Sequence, residues 1–222
     1  MPNSLIDWRW LMPAAFLAVL FAATLFGLAA DPAFAGRLLQ ENGPVEVASI
    51  ALHLLAAALA FALWMRRGGV CGALGVVSIL MALREMDVHR AFTRFGVFTT
   101  RLYARPDVPL VEKVLAGAAV LAITVLVAAA FWASRREILE LGRRRAPAGV
   151  GLITLPIAVV LLKEVDGLPR MLAKVGVLLS ERADTISHSI EELGEMALPL
   201  LMMLLLIQVA RAPTAAPRLG RP

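Results

Sequence analysis

Three histidines and a set of carboxylates carry the chemistry available to this chain. Glu46, Ser49 and His53 are spaced three, four and seven residues apart, so on a helix they form one stripe. Glu85, Asp87 and His89 follow as a second group, Glu164 and Asp166 as a third, and His188, Glu191, Glu192 and Glu195 as a fourth, in which 188, 191, 192 and 195 again share a face. Neutral imidazoles with nearby carboxylates are the ligand set of a catalytic zinc, which keeps one position open for water. Such an ion lowers the pKa of its water to about 7, and a carboxylate such as Glu46 or Glu192 then serves as general base. His53, His89 and His188 are the candidate metal ligands. Plainer roles compete for some of these residues: Ser189 and Glu192 match a helix capping box, Arg84 is placed to pair with Asp87, and Lys163 has carboxylates close by.

The elements that must position these groups are membrane-spanning. Of 222 residues, 59% are hydrophobic, and the mean hydropathy of +0.77 lies well above that of a soluble domain. The expected fold is all-α, a polytopic membrane bundle of about six transmembrane helices over 11–30, 45–65, 69–86, 110–133, 149–166 and 188–209. The run 11–30 is too long for a signal-peptide core and reads as the first span. Turn residues punctuate the connections: Asp31-Pro32, Gly43-Pro44, Gly68-Gly69, Pro106, Pro147 and Gly167 with Pro169. Pro156 interrupts the fifth segment, which leaves a re-entrant path open there. One domain is expected over 1–211, with a disordered tail over 212–222.

An up-and-down path through six spans brings the start of the second helix, the end of the third, the end of the fifth and the start of the sixth to one face. All the histidines and the acidic groups fall there. Ionisable groups at membrane depth cost roughly 2.5 to 3.5 kcal/mol each, so a gathering of them calls for partners or a ligand. The net charge of +5 comes almost wholly from arginine. Arg66-Arg67, Arg135-Arg136, Arg143-Arg144-Arg145 and Arg211 crowd short connections at the opposite face. That density makes it cytoplasmic, with both termini, in a bacterial-type inner membrane. No basic stripe for nucleic acid is present, and the lone Cys71 excludes a disulfide framework. Two connections look interfacial. Arg90, Arg94, Arg101 and Arg105 interleave with Phe92, Phe95, Phe98 and Tyr103, a pattern suited to lipid headgroups, and 170–182 is a second amphipathic stretch.

Ser49-Ile50-Ala51-Leu52-His53 is a Ser-x-x-x-His on the second helix, followed by an acidic residue on the third and a histidine motif, His188 to Glu192, on the last. In this order the chain resembles the membrane-embedded hydrolases that include alkaline ceramidases and adiponectin receptors. The resemblance implies a zinc-dependent hydrolase of a lipid amide or ester, with His53 and His188 as zinc ligands, Ser49 stabilising the oxyanion or the water, and Asp87 as the acidic partner. That family has seven spans, and Glu192 stands where its last helix carries a second histidine, so His89 is the residue left to complete a set of three. Two other classes fit the same residues. One is a proton- or cation-handling protein that uses the acidic cluster without breaking a bond. The other is a non-catalytic or cofactor-holding subunit of a larger membrane complex, with haem on two of the histidines as its narrower form. Membrane lipids, and a protein partner or second copy, are the expected partners.

Overall fold

The computed structural model describes residues 8–90, 93–144 and 146–212. It is an all-helical bundle: α1 (Leu11–Ala29), α2 (Pro32–Leu39), α3 (Pro44–Arg67), α4 (Val70–Glu85), α5 (Thr100–Ala104), α6 (Leu110–Arg143), α7 (Pro147–Lys174) and α8 (Glu181–Arg211), with a 3-10 turn at Val88–Arg90. Within the described residues five segments are long and apolar enough to cross a membrane: α1, the α2–α3 stretch, α6, α7 and α8. The expected third span is α4, whose 16 residues cover only about 24 Å against a hydrocarbon core of about 30 Å. It packs against α3 through the turn at Gly68 and Gly69, both at positive φ.

Three helices run further than the apolar segments that mark them. α6 continues through 134–143, where Arg144 reaches back to Glu140 at 2.5 Å. α7 is continuous through Pro156, Gly167 and Pro169, so the segment is not re-entrant and the first part of the 170–182 stretch is helix. α8 begins at Glu181, with the Ser180 hydroxyl accepting from the Ala183 N–H. Ser189 is therefore in mid-helix, fully buried and bonded to the Thr185 carbonyl at 2.7 Å, which removes it from any capping box.

α8 is the centre of the bundle. Leu198, Leu201, Met202, Leu205, Leu206 and Val209 form a common core with α1, α3, α4 and α7. Two glycines set the close approaches at the level of the acidic groups. A Cβ on Gly27 would lie 2.7 Å from the Ile186 Cα, and one on Gly194 would lie 2.2 Å from a Leu162 methyl. α6, by contrast, buries little beyond Ala116, Ser134 and Leu141, and shows lipid-type surface almost all round.

Between α4 and α6, Tyr103 donates to the Val97 carbonyl, and Val97, Leu102, Val108 and Ala116 form a small second core. Three of the four arginines read there as headgroup contacts have partners within the chain. Arg90 pairs with Asp87 and Arg94 with Glu112, while Arg105 pairs with Asp107 and lies over Phe95; Arg101 is exposed. Asp107 outside the spans is held below the usual carboxylate range by that Arg105 guanidinium. Phe92 and the tail beyond Ala212 lie outside the described residues.

Candidate functional site

The last carbonyls of a helix have no donor within it. Leu39 ends α2, and its carbonyl lies 3.1 Å from Nε2 of His188. A carbonyl can only accept, so Nε2 carries a proton and Nδ1 is the nitrogen left to face the cluster. Nδ1 lies 3.6 Å from a Glu191 carboxylate oxygen, close to the roughly 3.4 Å that separates two ligands about 2.1 Å from one tetrahedral ion. Ligand atoms of His188, Glu191 and Glu192 all fall within 4.8 Å of one another. The donor chemistry fits a divalent cation: one oriented imidazole whose far N–H is fixed by a backbone carbonyl, as metal-binding histidines require, and two carboxylates. One imidazole with two carboxylates does not by itself identify zinc.

Of the three histidines expected as metal ligands, His188 alone belongs to a group of this kind among the described residues. His53 belongs to no such group among the described residues; it sits nine residues into α3, about 13 Å along the axis from Pro44. His89 lies in the 3-10 turn, and its side chain is outside the described residues. Asp87, just before that turn at φ 51, pairs with Arg90. The Glu46 carboxylate accepts from the Asn42 N–H at 2.5 Å, so it helps to hold the start of α3. On α7, Glu164 is exposed, and Asp166 is taken up by Lys163 and by Arg170, the latter at 2.7 Å. The intrahelical Lys163 pair matches the plain reading of the sequence.

Arg84 is the residue whose role the sequence did not disclose. Rather than turning to Asp87, it crosses to α8 and binds Glu195 at 2.8 Å, with Glu85 of its own helix at 3.3 Å. The two carboxylates are largely buried, with side chains 9% and 13% exposed.

Directly below this charged layer lies an apolar cavity of about 410 Å³, walled by α3, α4, α6, α7 and α8, with His53 on its lining. The register is the same on α4, α7 and α8. Met81 lines the cavity and Arg84 and Glu85 follow it by one turn; Val160 lines it and Lys163 and Glu164 follow; Leu198 lines it and Glu195 precedes it. One helical turn, about 5.4 Å, therefore separates charge from hydrocarbon on these three helices. Ser49 and His53 lie one turn apart on α3; both are 2% exposed, and neither the serine hydroxyl nor either ring nitrogen has a hydrogen-bond partner among the described residues. Val159 and Val160 line the cavity yet are 39% and 59% exposed, so it opens sideways through α7 to the apolar surface of the bundle.

No family model, curated protein sequence or solved structure matches the chain.

Proposed function

We propose that this integral membrane protein is a metal-dependent hydrolase of an amphiphilic lipid, cleaving an amide or ester. The observation that carries this reading is the charged rim set one turn above an apolar cavity that is open to the side. An amphiphile entering from the bilayer would leave its apolar part in the cavity and present its polar bond to the rim. His188, Glu191 and Glu192 would hold the ion, and a divalent cation there supplies Lewis-acid chemistry. The remaining roles fall to the chain. Arg84 holds Glu195 and Glu85 at the mouth, where a carboxylate can take a proton from water. The Ser49 hydroxyl, without a protein partner, is available to hydrogen-bond a substrate oxygen. Asp87 and Glu46, each engaged elsewhere, are given no catalytic part. The arginines at the far ends of the helices, Arg66, Arg67, Arg135, Arg136 and Arg143, support a cytoplasmic assignment for that end, on which reading the rim would face outward from a bacterial-type inner membrane.

The test is hydrolysis of fluorogenic N-acyl and O-acyl lipids by protein purified in detergent, before and after chelation and re-addition of zinc or manganese. Metal-restored turnover that is lost in Glu192→Gln supports the reading; no turnover with any lipid or metal sinks it. A second reading, transfer of protons or cations, draws on Arg84 lying between two buried carboxylates. It predicts ion flux in liposomes that Glu195→Gln abolishes.

A further inference from the structure

At the end of the bundle away from His188, α6 stops at Arg143 and α7 starts at Pro147, and the two helices meet through glycine. A Cβ on Gly149 would lie 2.5 Å from the Leu141 carbonyl oxygen, whereas one on Gly142 would meet nothing within 4 Å. The space left open is a groove. One part, of about 430 Å³, takes in Arg143, and an adjoining part, of about 330 Å³, takes in Arg9 and Trp10; Gly142, Gly149 and Ile153 belong to both. One turn further into the bundle the walls are apolar. Leu139 precedes Arg143 by four residues, Ile153 follows Gly149 by four, and both are exposed. The groove therefore runs from guanidinium groups at the helix ends onto the lipid-type surface of α6 and α7.

No carboxylate lines this groove. The acidic side chains on the same stretch of α6 are engaged elsewhere, Glu137 with the Val70 N–H at 2.7 Å and Glu140 with Arg144. Arg143 is exposed and has no hydrogen-bond or ion-pair partner among the described residues. The guanidinium fork matches the oxygens of a phosphate, and two such groups repel the ammonium of a zwitterionic headgroup. Trp10, 65% exposed beside them, has the amphipathic ring that suits headgroup depth.

We propose that this groove is a binding site for an anionic phospholipid of the surrounding bilayer, with its phosphate at Arg9 and Arg143 and the start of its chains along Leu139 and Ile153. A free anion would use the arginines but leave the apolar walls uncovered. The site involves no bond cleavage and lies at the opposite end of α8 from His188, so it stands independently of the hydrolase reading.

The experiment is native mass spectrometry of the full chain, delipidated in detergent and titrated with phosphatidylglycerol or with phosphatidylcholine of the same chains. The first phosphatidylglycerol is expected to bind at least about five-fold more tightly than the first phosphatidylcholine, and Arg143→Gln to weaken it about five-fold, the usual worth of one basic residue at an anionic lipid surface. Gly142→Trp, which fills the groove, should abolish the preference. Arg66→Gln removes a charge at the same end but outside the groove, and should change binding by less than about two-fold. Gel filtration and thermal melting confirm that each variant is folded, and Gly142→Leu replaces Gly142→Trp if that variant is not. Equal binding of the two lipids, or a preference that Arg143→Gln or the groove-filling variant leaves unchanged, overturns the site. An equal loss in Arg66→Gln also overturns it, since diffuse surface charge would then account for binding. Inorganic phosphate that raises the melting midpoint as far as phosphatidylglycerol does overturns the lipid as occupant.

Discussion

Replacing Arg84 with Met keeps most of its apolar stem and removes the charge that Glu85 and Glu195 share. Breaking a fully buried ion pair by deleting one partner costs about 3–5 kcal/mol, since the other charge is left without compensation. Here the carboxylates are 9% and 13% exposed but the arginine is 39% exposed. Water at the rim screens part of the loss, and we expect about 2 kcal/mol. Two unpaired carboxylates then also repel each other, so Arg84→Met combined with Glu195→Gln should recover at least about 1 kcal/mol of the deficit. Reversible unfolding in mixed micelles, followed by circular dichroism as SDS is raised, gives the four corners of the cycle. Additive losses, or an Arg84→Met variant within about 0.5 kcal/mol of the parent, would refute the claim that Arg84 joins α4 to α8 at the mouth of the cavity.

Gly27→Ala places a methyl against the backbone of α8 at Ile186, where no side chain can yield; a loss of about 1–3 kcal/mol is expected in the same unfolding assay, and a neutral result would mean that α1 and α8 are not so close. Ser180→Ala removes the hydroxyl that caps α8 and should cost about 1 kcal/mol, visible as a lower midpoint and as faster amide exchange in residues 181–184. Ser49→Ala deletes a buried hydroxyl that has no protein partner, so stability should hold or rise while turnover of a lipid substrate falls; a loss of stability instead would show that the hydroxyl is satisfied within the fold.

The spans were legible because an uninterrupted apolar run of about 20 residues is stable almost nowhere but in lipid, and the convergence of the acidic groups followed from threading those spans up and down. The ends of α6, α7 and α8 were not. Charges at 134–143 and at Arg170 look like loop in a hydropathy reading, yet pairs such as Glu140 with Arg144 and Asp166 with Arg170, four residues apart, stabilise continued helix. Gly167 and Pro169 look like punctuation but sit within α7. At the site, the face shared by His188, Glu191 and Glu192 could be read from intervals of three and four. Its orientation by the Leu39 carbonyl could not, because that contact joins residues 149 apart in sequence. The pairing of Arg84 with Glu195, 111 residues away, was hidden behind the nearer Asp87 for the same reason. His53 was singled out for its depth, which the fold retains, but depth alone does not make an imidazole a metal ligand.

Metal content tests the central assignment most directly. Protein purified in detergent without chelator or metal-affinity tag, beside His188→Ala and His53→Ala, is analysed for divalent ions by elemental mass spectrometry. Near-stoichiometric metal that is lost in His188→Ala and kept in His53→Ala is the expected result; absence of metal, or its loss in both variants, would contradict the assignment of the ion to α8.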